Sequence, residues 1–396
     1  MISILTVTTL FPNPVQPAHG MFVATRLKHL RYSHQVTAEV IAPVAWLPPG
    51  ISYPNVGKLQ QIPLVRQDGD LRIHHPRYLV VPKVGMTLAP YTLYRAFRSR
   101  AIQLLSAGRR FDLIDAHYFY PDGVAAVRLG AELGIPVCVT ARGTDLNLIP
   151  AYPKPRRMII DAAMRADGLI TVCQALKDSL AGMLPAPKDI RVLRNGVDLE
   201  RFKPADRAAA RAGLGLTRRT LASVGLLIER KGHGLVIEAL RSLPDTDLLI
   251  VGDGPDRESL QRLAKSIGVA DRVRFLGLVD QSRLGQIYNA VDALVLASSR
   301  EGWANVLLEA MACGTPVVAS AVWGTPEVVA KPQAGILMAE RSALGVAEGI
   351  NRLFASLPDR ADTRRYAEDF SWQATTEGQL ALFREILERH QSRRAA

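Results

Sequence analysis

The sequence predicts an α/β protein of two doubly wound domains, each a parallel sheet covered by helices. Short apolar runs alternate with helical patterns through both halves of the 396 residues, as buried parallel strands and their crossover helices do. Midway, Asn195-Gly-Val-Asp198 marks a turn, and the Ala/Arg-rich stretch after it marks a domain linker near residues 197–218. A hydrophobic share of 48% and a charged share of 22% suit a globular chain long enough for more than one core.

The first half supplies strands at Ile2–Thr8, Gln35–Ile41, Phe111–Ala116, Pro136–Thr140, Gly168–Val172 and Ile190–Leu193. The second supplies Thr220–Val224, Leu248–Val251, Val273–Leu276, Ala293–Ala297 and Pro316–Ala319. Most are apolar without alternation, the pattern of a strand buried on both faces. Met1–Leu10 lacks the basic residues and cleavage site of a signal peptide and reads as the first strand. Met86–Leu105 mixes Leu88, Tyr91, Tyr94, Phe97 and Leu104 with Arg95, Arg98 and Arg100. A helix packed on its own sheet is the leading account of it, and an interfacial membrane helix is the other. The tail Arg389–Arg394 reads as a frayed helix end. No apolar stretch is long enough to span a bilayer, so the expected location is the cytoplasm, with peripheral contact to the inner face of the cell membrane as an addition.

Cys138, Cys173 and Cys313 sit in apolar runs and read as core residues, with no CxxC or HExxH to suggest a metal site. The net charge of +12 is concentrated early: residues 1–110 hold 13 Lys or Arg and 3 acids. Basic residues between 26 and 110 therefore suit an anionic membrane surface or an anionic acceptor, with a solubilising surface as the alternative. Nucleic acid is not an expected partner, because no aromatic stacking platform or recognition motif accompanies the charge.

Several strand ends carry residues suited to chemistry. The Pro-rich loop after the first strand reaches Gly20, where backbone could approach a phosphate or sugar closely. His117 stands at a strand's carboxyl end, as a ligand contact or a structural hydrogen-bonder. Arg142 and Asp145 bracket Gly143, facing a polar ligand or forming a loop salt bridge. Arg230 and Lys231, near Gly225 and Gly232, suit a diphosphate through charge-assisted hydrogen bonds. Val251-Gly252-Asp-Gly-Pro255 is a strand-end turn without the third glycine of a dinucleotide fingerprint. Glu301-Gly-Trp-Ala-Asn305-Val306 opens a helix that Gly314 and Pro316 end, with Asn305 as its expected cap. Its amino end is an anion site by charge and free amides. Glu309 shares a face with Asn305 and needs a partner, either a structural Arg or a ligand.

Taken together, these segments resemble the retaining glycosyltransferases of family 4, of the GT-B fold, over almost the whole chain. Glu301 and Glu309 match the family's paired glutamates within Glu301-Gly…Leu308-Glu309-Ala-Met-Ala…Gly314-Thr-Pro-Val317, and Arg230-Lys231-Gly232 matches its basic donor loop. Val251-Gly-Asp-Gly-Pro255 and Phe275-Leu-Gly277 match its nucleotide-side loops. The resemblance implies two Rossmann-like domains facing across a cleft: 1–198, completed by a C-terminal helix of about 372–396, for the acceptor, and 199–371 for the donor. It implies a nucleotide-diphosphate sugar as donor, no cofactor, no metal, and a glycan or lipid-linked acceptor of cell-surface polysaccharide synthesis.

Carried over residue by residue, the resemblance makes Glu309 the holder of the donor ribose and Glu301 a contact to the donor sugar. Arg230 and Lys231 neutralise the leaving diphosphate, and amides at Asn305 and Val306 hold it. Gly20, Gly225, Gly252 and Gly277 line the donor site. His117 and Asp145 join the catalytic group, and Arg142 and Tyr118 face the acceptor. Two residues depart from the family pattern: Leu226 stands where many members carry Arg, and Arg142 where many carry His. An Arg there cannot shuttle protons but can hold an anion. Rival readings are a GT-B sugar-nucleotide epimerase, for which no water-activating constellation is found, and a non-catalytic GT-B binding protein, which the intact Glu301, Arg230, Lys231 and Glu309 oppose.

Overall fold

The structure is a computed structural model that describes residues 1–48, 56–80 and 85–395. The chain divides into two compact units: Met1–Arg194 together with Gln373–Ala396, and Asn195–Trp372.

The first unit contains strands β1 (Ile2–Val7), β2 (Val36–Ile41), β3 (Val44–Trp46), β4 (Val65–Asp68), β5 (Leu71–His74), β6 (Arg77–Leu79), β7 (Leu113–His117), β8 (Val137–Ala141), β9 (Gly168–Thr171) and β10 (Arg191–Val192). Eight of them form a sheet in the order β10-β9-β8-β7-β1-β2-β5-β4, and β3 pairs with β6 apart from it. Only β4 and β5 pair antiparallel in that sheet. β7 and β8 are buried at every position, Asp115, His117 and Thr140 included. The Trp372–Ala395 helix packs Leu380, Phe383 and Ile386 into the core of this unit. Each such burial contributes about 1.5–3 kcal/mol. Gly168 lets this helix approach closely, since a Cβ there would press on the end of the Ile386 side chain.

The second unit contains β11 (Arg219–Val224), β12 (Thr246–Val251), β13 (Val273–Gly277), β14 (Ala293–Leu296), β15 (Val317–Ser320) and β16 (Gly335–Met338). Their order is β13-β12-β11-β14-β15-β16, parallel throughout. Each unit thus starts mid-sheet, builds outward to one side, then returns to build the other. The strand order reverses between β1 and β7 in the first unit and between β11 and β14 in the second. Open α/β sheets bind ligands at the carboxyl ends of the strands at such a reversal.

Several expectations need correction. Five strands were not foreseen. β3, β4 and β6 are short and half-exposed, β5 interleaves Leu71 and Ile73 with Arg72 and His74, and β16 begins at Gly335. The strand expected at Ile190–Leu193 shrinks to two residues. The stretch 197–218 is not an open linker. It holds a helix, Arg207–Leu214, capped by the Asp206 carboxylate, which accepts from Ala209 N at 3.0 Å. Arg207 and Arg211 both pair with Asp292. Asn195–Asp198 sits with the second unit, since Val197 N donates to Phe370 O and a Cβ on Gly196 would strike the backbone of Trp372. The Arg-rich tail is helical and engaged: Arg389 donates to Asp167 O at 3.0 Å and Arg394 to Gly134 O at 2.9 Å.

The Gly85–Ser106 helix buries Leu93, Ala96, Phe97, Ala101 and Leu104, as an ordinary sheet-packed helix does, and leaves Met86, Leu88 and Tyr91 exposed. The early basic residues do not form one open face. Arg26 is buried, Arg77 donates to the carbonyls of Gln60 and His75, and Arg31, Arg98 and Arg109 pair with acids. Lys83 lies outside the described residues. Among the described residues, no helix is long and apolar enough to cross a membrane. The three cysteines are buried and unbridged.

Candidate active site

At the strand-order reversal of the second unit, glycines pave the carboxyl edge. Gly225 N donates to Val251 O at 2.9 Å, and Gly252 N donates to Gly277 O at 2.8 Å. Gly252 has φ 131°, and a Cβ there would collide with the Gly225 carbonyl, so no other residue fits. The Lys231 side chain lies over Gly225, where an added Cβ would stand 3.5 Å from its methylenes.

Glu229–Lys231 form a single 3-10 turn, and Gly232 lets that turn seat on the end of β14, where a Cβ would meet the Ala297 carbonyl. Ser299 N donates to Arg230 O at 2.8 Å, and the Arg230 guanidinium donates to Arg300 O at 2.8 Å. This clamp brings Lys231 Nζ to 2.6 Å from Glu301 Oε1, with both side chains largely buried.

The helix runs Asn305–Ala312, so Asn305 is its first residue and not its cap. Ala304 occupies the cap position without a side-chain bond. The Asn305 side chain instead accepts from Asn195 Nδ2 at 3.3 Å, while Asn305 N donates to Trp303 O at 3.1 Å. Val306 follows at the next amide, partly buried. Gly314, at φ 78°, ends the helix as expected. The carboxylate of Glu309 accepts from the Tyr288 hydroxyl at 3.1 Å, so its protein partner is a phenol and not the structural Arg that was one of its two alternatives. Burial lifts Glu309 to about 7, against the hydrogen bond from Tyr288 and the charge of Arg201. Tyr288 escaped sequence reading because no local pattern links it to Glu309, 21 residues on.

In the first unit, Gly20 caps the Met21–Tyr32 helix at φ 65°, and a Cβ would collide with the Leu10 carbonyl. Thr9 is tied by backbone and hydroxyl to buried Asp122, whose carboxyl is pushed up to about 8 by burial. Asp122 is a second residue that the sequence reading missed. His117 ends β7, fully buried, with Nε2 3.0 Å from Asp115 Oδ2 and Nδ1 2.6 Å from an Arg142 guanidinium nitrogen. Burial holds His117 down to about 4. Tyr118 follows at φ 81°, partly buried, its N–H donating to Thr140 O. Asp145 accepts from Phe119 N and Gly143 N at 2.6 Å each and from Arg142 N at 3.0 Å. Its carboxylate therefore folds the loop around backbone amides, a role the sequence reading did not assign. The Arg142 guanidinium lies 5.5 Å over the Phe22 ring. Among the described residues, no cluster of three His, Cys, Asp or Glu is assembled to hold a metal ion.

The structure thus gathers Gly225, Arg230, Lys231, Gly252, Gly277, Glu301, Asn305, Val306 and Glu309 around the carboxyl edge of one unit. Gly20, His117, Tyr118, Arg142 and Asp145 lie at that edge of the other. The family model "Glycosyl transferases group 1" matches residues 206–370, and "Glycosyltransferase Family 4" matches residues 61–201. D-inositol 3-phosphate glycosyltransferase of Actinosynnema mirum is 34% identical over 302 residues, covering 69% of this chain and 72% of that protein. Its namesake from Saccharomonospora viridis is 32% identical over 304 residues, covering 70% of each. Among solved structures, sucrose-phosphate synthase from Thermosynechococcus elongatus superposes with a TM-score of 0.80 at 21% identity, covering 98% of this chain and 100% of that one. Anabaena HepE in complex with UDP-glucose superposes at 0.71 with 19% identity, covering 99% and 100%. The chain therefore belongs to family 4 of the glycosyltransferases, GT-B enzymes that draw a sugar from a nucleotide-sugar donor.

Proposed function

We propose that the protein transfers a sugar, with retention of configuration and without a metal ion, from a nucleotide-diphosphate sugar on its second unit to an acceptor on its first. The observation that carries this is the Lys231–Glu301 pair, set over Gly225 where the strand order reverses. There Glu309 holds the ribose hydroxyls and Glu301 a hydroxyl of the donor sugar. Amides at the Asn305–Ala312 helix start, Val306 before Asn305, hold the diphosphate. Arg230 and Lys231 stabilise the charge that grows as the bond from the sugar's anomeric carbon to the diphosphate breaks. The acceptor oxygen bonds that carbon on the same face, and its proton passes to a departing phosphate oxygen.

On the acceptor side, relatives named for D-inositol 3-phosphate support a polyol or sugar acceptor. A glycan or lipid-linked acceptor of surface-polysaccharide synthesis rests on the sequence resemblance alone, and the relatives' names do not add to it. Contact with an anionic membrane, through the cations of residues 26–110 that stay exposed, such as Arg95, belongs to the same reading.

A panel of nucleotide sugars, scored by thermal stabilisation and slow donor hydrolysis, tests it. One donor should bind and hydrolyse, and Glu309→Ala should abolish both. Absence of any nucleotide effect at saturating concentration rejects the reading.

A further inference from the structure

A cavity of 670 Å³ that the transfer mechanism does not use lies in the first unit, between the Gly85–Ser106 helix and the β3–β6 pair. Its wall carries three cations, Arg77 from β6 and Arg95 and Arg100 from the helix, and among the described residues no carboxylate. Among the described residues, the bonds these cations make go to neutral groups. The Arg77 guanidinium donates to His75 O at 2.8 Å and to Gln60 O at 2.9 Å. Arg100 donates to Gln103 Oε1 and to His74 Nδ1, each at 2.8 Å. Arg95 is exposed, with its guanidinium 6.0 Å over the Tyr91 ring. Glu39 stands behind His74, accepting from its Nε2 at 2.8 Å, and is paired with Arg109.

The same wall is apolar beside those cations. Among the described residues thirteen large apolar side chains are exposed, and four of them, Leu64, Val65, Leu79 and Tyr91, line this one cavity together with Trp46. Met86 and Leu88 extend the exposed apolar stretch along the first turns of the helix. Apolar residues exposed singly need no explanation, whereas a cluster of them around a concave site marks a place of interaction. We infer that the cavity takes one anionic lipid from a membrane surface, its phosphate at Arg95 and Arg100 and the start of its hydrocarbon chain against Leu64, Leu79 and Tyr91. The inference rests on the membrane contact proposed above, which it narrows to a site, and on no step of the transfer. Charge and volume both suit that occupant. Three cations without a carboxylate in the wall attract a phosphate, with Arg77, held by carbonyls, adding to the field. The volume falls within the roughly 300–1,000 Å³ of small-molecule sites, and the apolar wall favours removing a chain from water.

The test uses the full chain and measures binding of inorganic phosphate, butyl phosphate, octyl phosphate and octyltrimethylammonium by calorimetry, below the concentrations at which they form micelles. Octyl phosphate should bind more tightly than butyl phosphate, by up to about fourfold for each methylene buried, the equivalent of about 0.8 kcal/mol. Octyltrimethylammonium, with the same chain and the opposite charge, should bind least. Added salt should weaken the phosphate-bearing probes together and keep the difference between their chains. Vesicles of phosphatidylglycerol should bind the protein, and vesicles of phosphatidylcholine should not. Arg95→Gln should weaken binding of octyl phosphate and of the anionic vesicles by about fivefold, the scale of one basic residue at an anionic surface. Leu64→Gln combined with Tyr91→Gln should flatten the dependence on chain length. Both side chains are exposed, so the melting midpoint of that variant should match wild type. Leu344→Gln, at an exposed apolar residue of the second unit, should change none of these readings.

Equal affinity for octyl phosphate and inorganic phosphate would overturn the inference. So would binding to anionic vesicles that Arg95→Gln and the Leu64, Tyr91 double variant leave unchanged, a result that keeps the membrane contact and removes this site alone. Octyl phosphate bound while phosphatidylglycerol vesicles are ignored would overturn it too, because the occupant would then be a soluble amphiphile. Absence of vesicle binding by wild type in low salt rejects the membrane contact and the site together. Nucleotide binding is read in parallel on every variant and should not move; its absence in wild type rejects the donor reading and not this one.

Discussion

Replacing Lys231 with Ala should separate the electrostatics of folding from those of catalysis. Its Nζ lies 2.6 Å from Glu301 Oε1, and the two side chains keep 16% and 8% of their accessibility. Removing the ammonium leaves a carboxylate in a poorly hydrated place. Breaking a fully buried pair costs about 3–5 kcal/mol, and because Lys231 keeps some contact with water the expected loss is about 2–3 kcal/mol. Adding Glu301→Gln should return most of that stability, since a neutral amide carries no charge to desolvate. Turnover should respond differently. Loss of one preorganised stabiliser of the leaving group costs about 100-fold to 1,000-fold in rate, and the second substitution should not restore it. Urea unfolding gives the stability of the single and double variants, and release of nucleoside diphosphate gives the rate. Unchanged turnover in Lys231→Ala refutes the catalytic role. Recovery of rate alongside stability in the double variant refutes it too, because Lys231 would then serve only to neutralise Glu301.

Gly252→Ala should destabilise the second unit by roughly 1–3 kcal/mol and weaken nucleotide binding, since φ 131° and the Gly225 carbonyl leave no place for a Cβ; urea midpoints equal to wild type would contradict the packing described. Burial raises Glu309 to about 7, so the folded state holds a proton that the unfolded chain has released, and stability falls as pH climbs from the ordinary carboxylate range through about 7. Glu309→Gln should therefore unfold at higher urea than wild type at about pH 8, by about 1–2 kcal/mol after allowance for partial exposure, and match it at about pH 4. A gain of equal size at both pH values would show that charge is not the cause. In the proposed mechanism Arg230 and Lys231 carry the charge compensation, so EDTA should leave transfer unchanged; loss of rate restored by a divalent cation would reject metal independence.

What the sequence made legible follows from the range of the interactions. Strands buried on both faces, such as Ala293–Leu296, announce themselves as unbroken apolar runs. Glycines at strand ends were equally legible, because a positive φ marks them locally even where the close approach that requires them is to distant backbone, as at Gly252 and Gly232. The edge strand β4 and its neighbour β5 were not, since Gln67, Asp68 and Arg72 face water and, with Arg66, leave no apolar run to find. Asn305 misled because a capping residue and a first-turn residue look alike in sequence, and only the backbone of Ala304 decides between them.

The longest-range features were invisible. Gln379 reaches Asp115 across 264 residues, and Tyr288 finds Glu309 by helix packing that no spacing encodes. The same distinction orders the chemistry. The residues proposed to hold the donor come as short motifs, as a diphosphate gripped by contiguous backbone and neighbouring cations would require. The setting of Arg142 depends on a helix at the far end of the chain. Gln379→Leu should therefore disturb the Asp115–His117–Arg142 cluster while leaving nucleotide binding, read by thermal stabilisation, intact, a separation that no reading of Arg142 in its own loop would lead one to look for.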